Sequence, residues 1–188
     1  MYHEENPSGG ERRQRIVALL RSARSPVRGT DLAAQLGVSR QVIVQDVALL
    51  RASGEPIVAT PRGYALVEAS PAPRHRAVLA VRHLRAQTED ELNLLVDLGL
   101  RVVDVLVEHP IYGEIRGSLM LDSREDVRQF MEQLHRSGAA LLSELTGGVH
   151  LHTVEAPRLE LLARAQEELR RRGYLLEERA LSEKTPSS

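Results

Sequence analysis

Thr30-Asp31-Leu32-Ala33-Ala34-Gln35-Leu36-Gly37-Val38-Ser39-Arg40-Gln41 is the stretch on which the fold turns. Thr30 can cap a helix over 31–36 whose Leu32, Ala33 and Leu36 share one face. Gly37 suits the left-handed end of that helix, Val38 plugs the turn, and Ser39 can cap a second helix over Arg40 to Ser53. There Ile43, Val47 and Leu50 recur at steps of four and three, the spacing of a buried helical stripe. Two short helices joined so tightly form a helix-turn-helix, in which the second fits the major groove and the first braces it.

Upstream, Gln14 to Ala23 reads as a helix with Ile16, Leu19, Leu20 and Ala23 on one face, stopped by Ser25-Pro26. Downstream, Ile57-Val58-Ala59-Thr60, the turn Pro61-Arg62-Gly63 and Tyr64-Ala65-Leu66-Val67 read as a hairpin. Three helices and a hairpin make a winged helix over residues 11–68. Between Glu11 and Val67 nine arginines face four acids, so that segment carries +5 and the rest of a chain of net charge −1 carries −6. A compact basic segment on an acidic remainder points to a polyanion partner, operator DNA.

With Ile43, Val47 and Leu50 inside, the second helix presents Arg40, Gln41, Val44, Gln45 and Ala48 outward. Arg pairs with guanine and Gln with adenine through two hydrogen bonds. Ser39 can reach a phosphate as well as cap the helix, and Arg62 at the hairpin tip is placed for phosphate or the minor groove. Arg12, Arg13 and Arg28 are further phosphate candidates.

Beyond the stiff stretch Ala69-Ser70-Pro71-Ala72-Pro73 the rhythm changes. Strands are expected at Ala77 to Val81, Arg101 to Glu108, Glu114 to Leu121 as the antiparallel neighbour of the one before it, Val149 to Val154 and Tyr174 to Glu177. Helices are expected at Glu89 to Leu98, Ser123 to Arg136 and Arg158 to Arg172. The class is α+β: an N-terminal winged helix-turn-helix, then an α/β sandwich sensor domain over residues 74–180 with a mixed sheet covered by helices.

No cysteine is present, which excludes disulfides and thiolate metal ligands and fits a reducing cytoplasm. No apolar run approaches the roughly 18 residues of a membrane span, so no membrane partner is expected. Met1 to Gly10 lacks the apolar core of a signal peptide. That stretch and the tail after Ser182 are expected to be disordered.

Seven histidines stand at 3, 75, 83, 109, 135, 150 and 152. In a strand, residues two apart share a face, so His150-Leu151-His152 can aim both rings at one ion. A solvent-facing strand edge explains the pair equally simply. His83 at a strand end and Glu91 on the following helix could complete a nitrogen-rich set that suits nickel, zinc or iron and not calcium or magnesium. Glu91 has a competing use that the residues alone favour, because Thr88-Glu89-Asp90-Glu91 is a capping-box pattern in which Glu91 bonds back to the Thr88 backbone. His135 is expected at the surface and His3 in the disordered start; His75 is ambiguous.

Two blocks then carry a resemblance. His109-Pro110-Ile111-Tyr112-Gly113-Glu114-Ile115-Arg116-Gly117 and Gly148-Val149-His150-Leu151-His152-Thr153-Val154-Glu155-Ala156-Pro157 resemble the signature blocks of the three-histidine regulatory domain. Val38 to Asp46 resembles that family's DNA-reading helix. The whole, over about Arg12 to Glu178, resembles the niacin-responsive repressors of NAD biosynthesis and niacin uptake. The resemblance implies a homodimeric repressor that binds operator DNA when nicotinic acid is present. It also implies one divalent transition metal per protomer, on His83, Glu91, His150 and His152. His109, Tyr112 and Arg116 belong to the other block and are expected near the effector, with Arg116 pairing its carboxylate and Tyr112 covering its ring.

Three other classes are weighed. A metal-dependent hydrolase fused to a DNA-binding domain would need an acid or base beside the metal, for which Glu114 and Glu155 are candidates. A biotin-ligase-type regulator would need a glycine-rich adenylate loop, which the second half lacks. A phosphocarrier-like regulator would use His109 as its phosphorylated residue.

Overall fold

The computed structural model describes residues 8–67 and 74–176. The first seven residues, most of the proline-containing linker and the C-terminal tail lie outside them, as does His3. Of the N-terminal stretch expected to be disordered, Gly9 and Gly10 already belong to a helix.

Helix α1 (Gly9–Ser22) starts earlier than its apolar stripe alone indicates, because Ser8 and Glu11 form a capping box. Helix α2 (Gly29–Leu36) is flanked by Arg28 and has no side-chain cap, so Thr30 lies inside the helix and does not cap it. Gly37 ends it at φ 67°. Helix α3 (Arg40–Ala52) begins as expected, with the Ser39 hydroxyl accepting from the Val42 amide at 3.3 Å. Strands β1 (Ile57–Thr60) and β2 (Gly63–Leu66) form the wing. Ile16, Leu32, Ile43, Val47 and Ile57 pack into one core at the centre of this domain. Gly63 sits at φ 137° where a Cβ would meet the Val27 carbonyl at 2.3 Å, so only glycine lets the wing close on the α1–α2 connection.

The second domain is built from β3 (His75–Arg82), α4 (Thr88–Asp97), β4 (Arg101–His109), β5 (Gly113–Leu121), α5 (Arg124–Ser137), β6 (Val149–Ala156) and α6 (Leu159–Arg171). Short 3-10 turns lie at Arg85–Gln87 and Leu142–Thr146. The strand order is β3-β6-β4-β5 and every neighbouring pair is antiparallel. The α+β class holds, but the sheet is not mixed. The strand expected at Tyr174 to Glu177 is reduced, among the described residues, to a single bridge between Leu175 and Val81. Leu79, Val81, Val102, Leu121 and Val154 meet Leu95, Val127 and Leu169 of the helices in a second core, separate from the first. Burying such side chains stabilises the fold by roughly 1.5–3 kcal/mol each. None of the described helices is long and apolar enough to cross a membrane.

Candidate functional site

Inside the second core sits a polar cluster that hydrophobic packing alone would exclude. Glu91 on α4 is 0% exposed, and His83, His150 and His152 are buried around it. Their Nε2 atoms lie 2.7, 3.6 and 3.4 Å from one oxygen of Glu91, Oε2. Ligand atoms of His83, Glu91 and His150 all fall within 4.8 Å of one another. The two strand histidines project from one face as their spacing requires, opposite Val81 and Leu79 of β3.

The far side of each ring fixes its proton. Nδ1 of His83 meets the Leu84 carbonyl at 2.9 Å, that of His150 the Gly148 carbonyl at 2.9 Å, and that of His152 the Asp104 carbonyl at 2.8 Å. A carbonyl oxygen only accepts, so Nδ1 is the donor in each ring. Each neutral ring therefore turns an Nε2 lone pair toward the carboxylate. Acceptors converging on an acceptor repel unless a cation lies among them, whether a ring proton or a metal ion. Glu91 Oε1 is also buried and has no hydrogen-bond partner among the described residues. These residues fit a divalent transition metal: borderline nitrogen donors, one carboxylate, and outer contacts that hold each imidazole in its ligating orientation.

Electrostatics express the same demand. Burial disfavours the charged forms of His83 and His152, but Glu91 outweighs it and holds both above the ordinary histidine value. Burial would raise Glu91, yet His152, His150 and His83 hold it well below the usual carboxylate range. The capping use of Glu91 is not realised. Thr88 lies within the helix, its hydroxyl has no partner, and Glu91 points inward.

Two supporting residues escaped the sequence reading. Asp104, 3% exposed, accepts from the Thr153 amide and from Arg116 while its carbonyl orients His152. A register shift in β4 between Val102 and Asp104 brings it there. Its signal was available: one charge inside the apolar run Val102 to Val107. Tyr174 stands 5.3 Å from the His83 ring and donates its hydroxyl to Asp90. Gly148, at φ 93°, brings β6 so close that a Cβ would lie 2.3 Å from the His83 carbonyl oxygen.

The other sequence block is not brought to this cluster. His109 and Tyr112 stack at the β4–β5 turn with centroids 5.0 Å apart, and Tyr112 is 75% exposed. That turn lies four residues beyond Val105, the partner of His152. Val105 also faces Gly117, so Arg116, one residue along, projects from the opposite face of the sheet. There it pairs with Asp104 at 2.9 Å and Glu114 at 3.1 Å. Within this chain these three residues are therefore not gathered at the histidine cluster. What borders His150 and His152 is a cavity of about 30 Å³ walled by Thr88, Val105, Leu119, Phe130, Leu142 and Ser143.

On the first domain, Ser39, Arg40, Gln41 and Gln45 are exposed and Val44 is half-buried, along one side of α3. Arg12 and Arg13 turn instead to the buried Asp46, Arg12 at 2.6 Å, and pin α1 to α3. Arg62 is not offered to solvent either. Its side chain is 15% exposed and its guanidinium donates to Asp126 of α5 and to the Met120 carbonyl. His135 is exposed as expected, and so is His75.

Residues 12–65 match an HTH domain family, and residues 76–178 match the 3H domain family. Over 168 residues, 89% of this chain and 95% of the relative, the chain is 46% identical to the probable transcription repressor NiaR of Thermotoga maritima. It is 39% identical over 180 residues, 95% of this chain and all of the relative, to the transcription repressor NadR of Bacillus subtilis. The chain belongs to the NiaR/NadR family of transcription repressors. As a member of that family it is a DNA-binding repressor, and its relatives are named as regulators and not as enzymes. The two acids considered for hydrolysis are placed accordingly: Glu114 pairs with Arg116 and is exposed, and Glu155 reaches only Arg101, at 4.0 Å. In the NiaR/NadR frame the buried cluster belongs to the 3H domain and the exposed side of α3 to the HTH domain.

Proposed function

We propose that this chain represses genes of NAD biosynthesis or niacin uptake, with nicotinic acid as its effector and one nickel, zinc or iron ion per protomer. The observation that carries the metal reading is the set of three Nδ1-anchored imidazoles aimed at a buried carboxylate whose other oxygen has no partner. His83, Glu91, His150 and His152 would hold the ion. When bound, the ion supplies open coordination positions that suit a carboxylate or a pyridine nitrogen. The niacin reading is supported by the resemblance of the signature blocks and by the name of the Thermotoga maritima relative.

The effector would enter beside His150 and His152. The cavity there holds about 30 Å³, against roughly 150 Å³ for one that takes benzene, so a pyridine ring must push its walls apart. Leu119 and Phe130 form those walls together with Val105 and Leu142. Ser39, Arg40, Gln41, Val44 and Gln45 would read the operator, and a two-fold homodimer would place two such helices about 34 Å apart along it. Light scattering at micromolar concentration should then return a dimer mass.

Calorimetry tests the effector reading. Nicotinic acid should bind the metal-loaded protein, nicotinamide should bind less tightly, and the His150→Ala, His152→Ala double variant should bind neither metal nor acid. Equal affinity for acid and amide, or undiminished binding in the double variant, would remove the effector from this site.

A further inference from the structure

Arg62 stands at the tip of the wing, where a DNA contact is expected, yet it faces the other way. One guanidinium nitrogen donates to Asp126 Oδ1 and another to the Met120 carbonyl, and Nε is buried without a partner. Asp126 uses its second oxygen to accept from the amides of Asp122 and Ser123, so one carboxylate both starts α5 and holds the wing. Met120 is the only non-glycine residue at positive φ among the described residues, at 52°. Left-handed backbone at a methionine inside a strand is costly and persists only where its surroundings enforce it.

The two acceptors of Arg62 adjoin the cavity beside the histidines. Met120 follows Leu119, and Asp126 lies one helical turn before Phe130 on α5; Leu119 and Phe130 are both cavity walls. A ring that enters that cavity must push its walls apart, and Leu119 and Phe130 are two of them. On the other side, the wing and α5 enclose a cleft of about 570 Å³ in which Arg40 of α3 faces Glu132, Gln133 and Arg136 of α5. Because Arg62 ties the wing to Asp126 of α5 and to the Met120 carbonyl, a shift of either anchor would change how Arg40 is presented across that cleft.

We propose that Arg62, Asp126 and the Met120 carbonyl form the joint through which occupancy of the sensor cavity sets the position of the DNA-reading domain. Arg62 is thus a positioning residue and not a phosphate contact. The coupling half of this proposal rests on the effector reading above; the positioning half does not.

The experiment uses the full chain, its Arg62→Ala, Arg62→Lys and Asp126→Asn variants and the double variant. Asn keeps an acceptor for the Asp122 and Ser123 amides, so α5 retains its start. The DNA probe is a duplex selected by the wild-type protein from a random pool. Because the chain lacks cysteine, spin labels at Arg21→Cys and Arg164→Cys, diluted with unlabelled protein, report the distance between the domains. Arg62→Ala and Asp126→Asn should shift that distance alike, the double variant no further, and Arg62→Lys less. The salt dependence of DNA binding should keep its wild-type slope in Arg62→Ala. A slope shallower by about 0.9, the share of one phosphate contact, with an unmoved distance in Asp126→Asn, overturns the proposal. Nicotinic acid should bind the variants as it binds wild type, while its effect on DNA affinity, about 5- to 150-fold for a typical coupling, should disappear. A full effect retained in both single variants overturns the coupling. If wild type itself does not respond to nicotinic acid, the effector reading fails, and the joint is judged on distance and salt slope.

Discussion

A buried carboxylate facing three imidazole lone pairs needs positive charge, and protons and a metal compete to supply it. His83 and His152 titrate above their ordinary value of 6.5. Their contribution to metal-free stability is complete below that value and is lost as pH rises through the raised, folded values. Glu91 titrates well below its ordinary 4.5, so its contribution is present above 4.5 and is lost only as pH falls through the depressed value. The metal-free cluster is therefore most favourable between these limits and weakens toward alkaline pH, where the rings lose their protons. Metal requires neutral rings and gains from the same change. The rise in melting temperature on adding zinc should accordingly be larger at about pH 8.5, where the rings are more fully neutral, than at about pH 6, below the ordinary histidine value. Calorimetric scans at both values check this; an equal or smaller rise at the higher pH would count against a shared site. Asp104 acts one step further out. Asp104→Ala removes the acceptor for Thr153 and the partner of Arg116 but leaves the main-chain carbonyl that orients His152, so it should lower metal affinity by less than the roughly 10- to 100-fold that follows loss of a direct outer contact. Competition with a chromogenic chelator measures that change.

At the scale of elements, the helices were legible because their signals are local. Ser39, Gly37 and the Ile43, Val47, Leu50 stripe lie within α2 and α3 themselves, and the Ser123 cap lies within the start of α5. Strand order is not local. The segment 114–121 reads as the antiparallel neighbour of the buried strand before it, and so it is, but nothing in either segment places β6 between β3 and β4, so the strand order and the wholly antiparallel sheet emerged only from the structure. Glu91 shows the same limit. A capping box and an inward ligand share one spacing, and the choice depends on where β6 lies. Helix α3 carries a prediction of its own. Arg40→Ala removes an exposed side chain from the first turn of α3. It should cost about 1–3 kcal/mol of discrimination at one base pair with little change in melting temperature; binding to single-base operator variants reads it out. The turn into β6 carries another. Gly148→Ala forces a Cβ to within 2.3 Å of the His83 carbonyl oxygen at a φ of 93°, so β6 must withdraw from β3. Metal occupancy by elemental analysis should fall sharply, while Gly138→Ala, where a Cβ meets nothing within 4 Å, should leave it intact.

At the scale of the whole molecule, the division into a basic DNA-reading part and a histidine-bearing sensor part was legible from charge and composition, and the two separate cores agree with it. The relation between the parts was not. Arg62 and Asp126 are 64 residues apart, and no local pattern pairs them. A tip arginine signals DNA as readily as it signals a neighbouring domain. Arg12 and Arg13 misled in the same way: basic residues ahead of a helix-turn-helix suggest phosphate, whereas Asp46, hidden in the α3 pattern, claims both. That claim has a measurable size. Removing one member of a buried ion pair costs roughly 3–5 kcal/mol, so Asp46→Ala, which removes the carboxylate that Arg12 and Arg13 both face, should lower the urea midpoint of the first domain with the second largely unaffected. Fluorescence labels placed separately in the two domains distinguish local from global unfolding.

The three imidazoles are steered by the carbonyls of Leu84, Gly148 and Asp104, and no side chain is spent on aiming them. A main-chain acceptor survives every amino-acid replacement at its own position. Mutation can shift these oxygens but cannot delete them. The ring orientations are thus written into the course of the backbone, and a replacement reaches them only by moving that backbone, as at Gly148. Drift in a lineage can remodel the side chains that wall the cavity beside the rings, while the geometry that presents the rings is inherited with the fold.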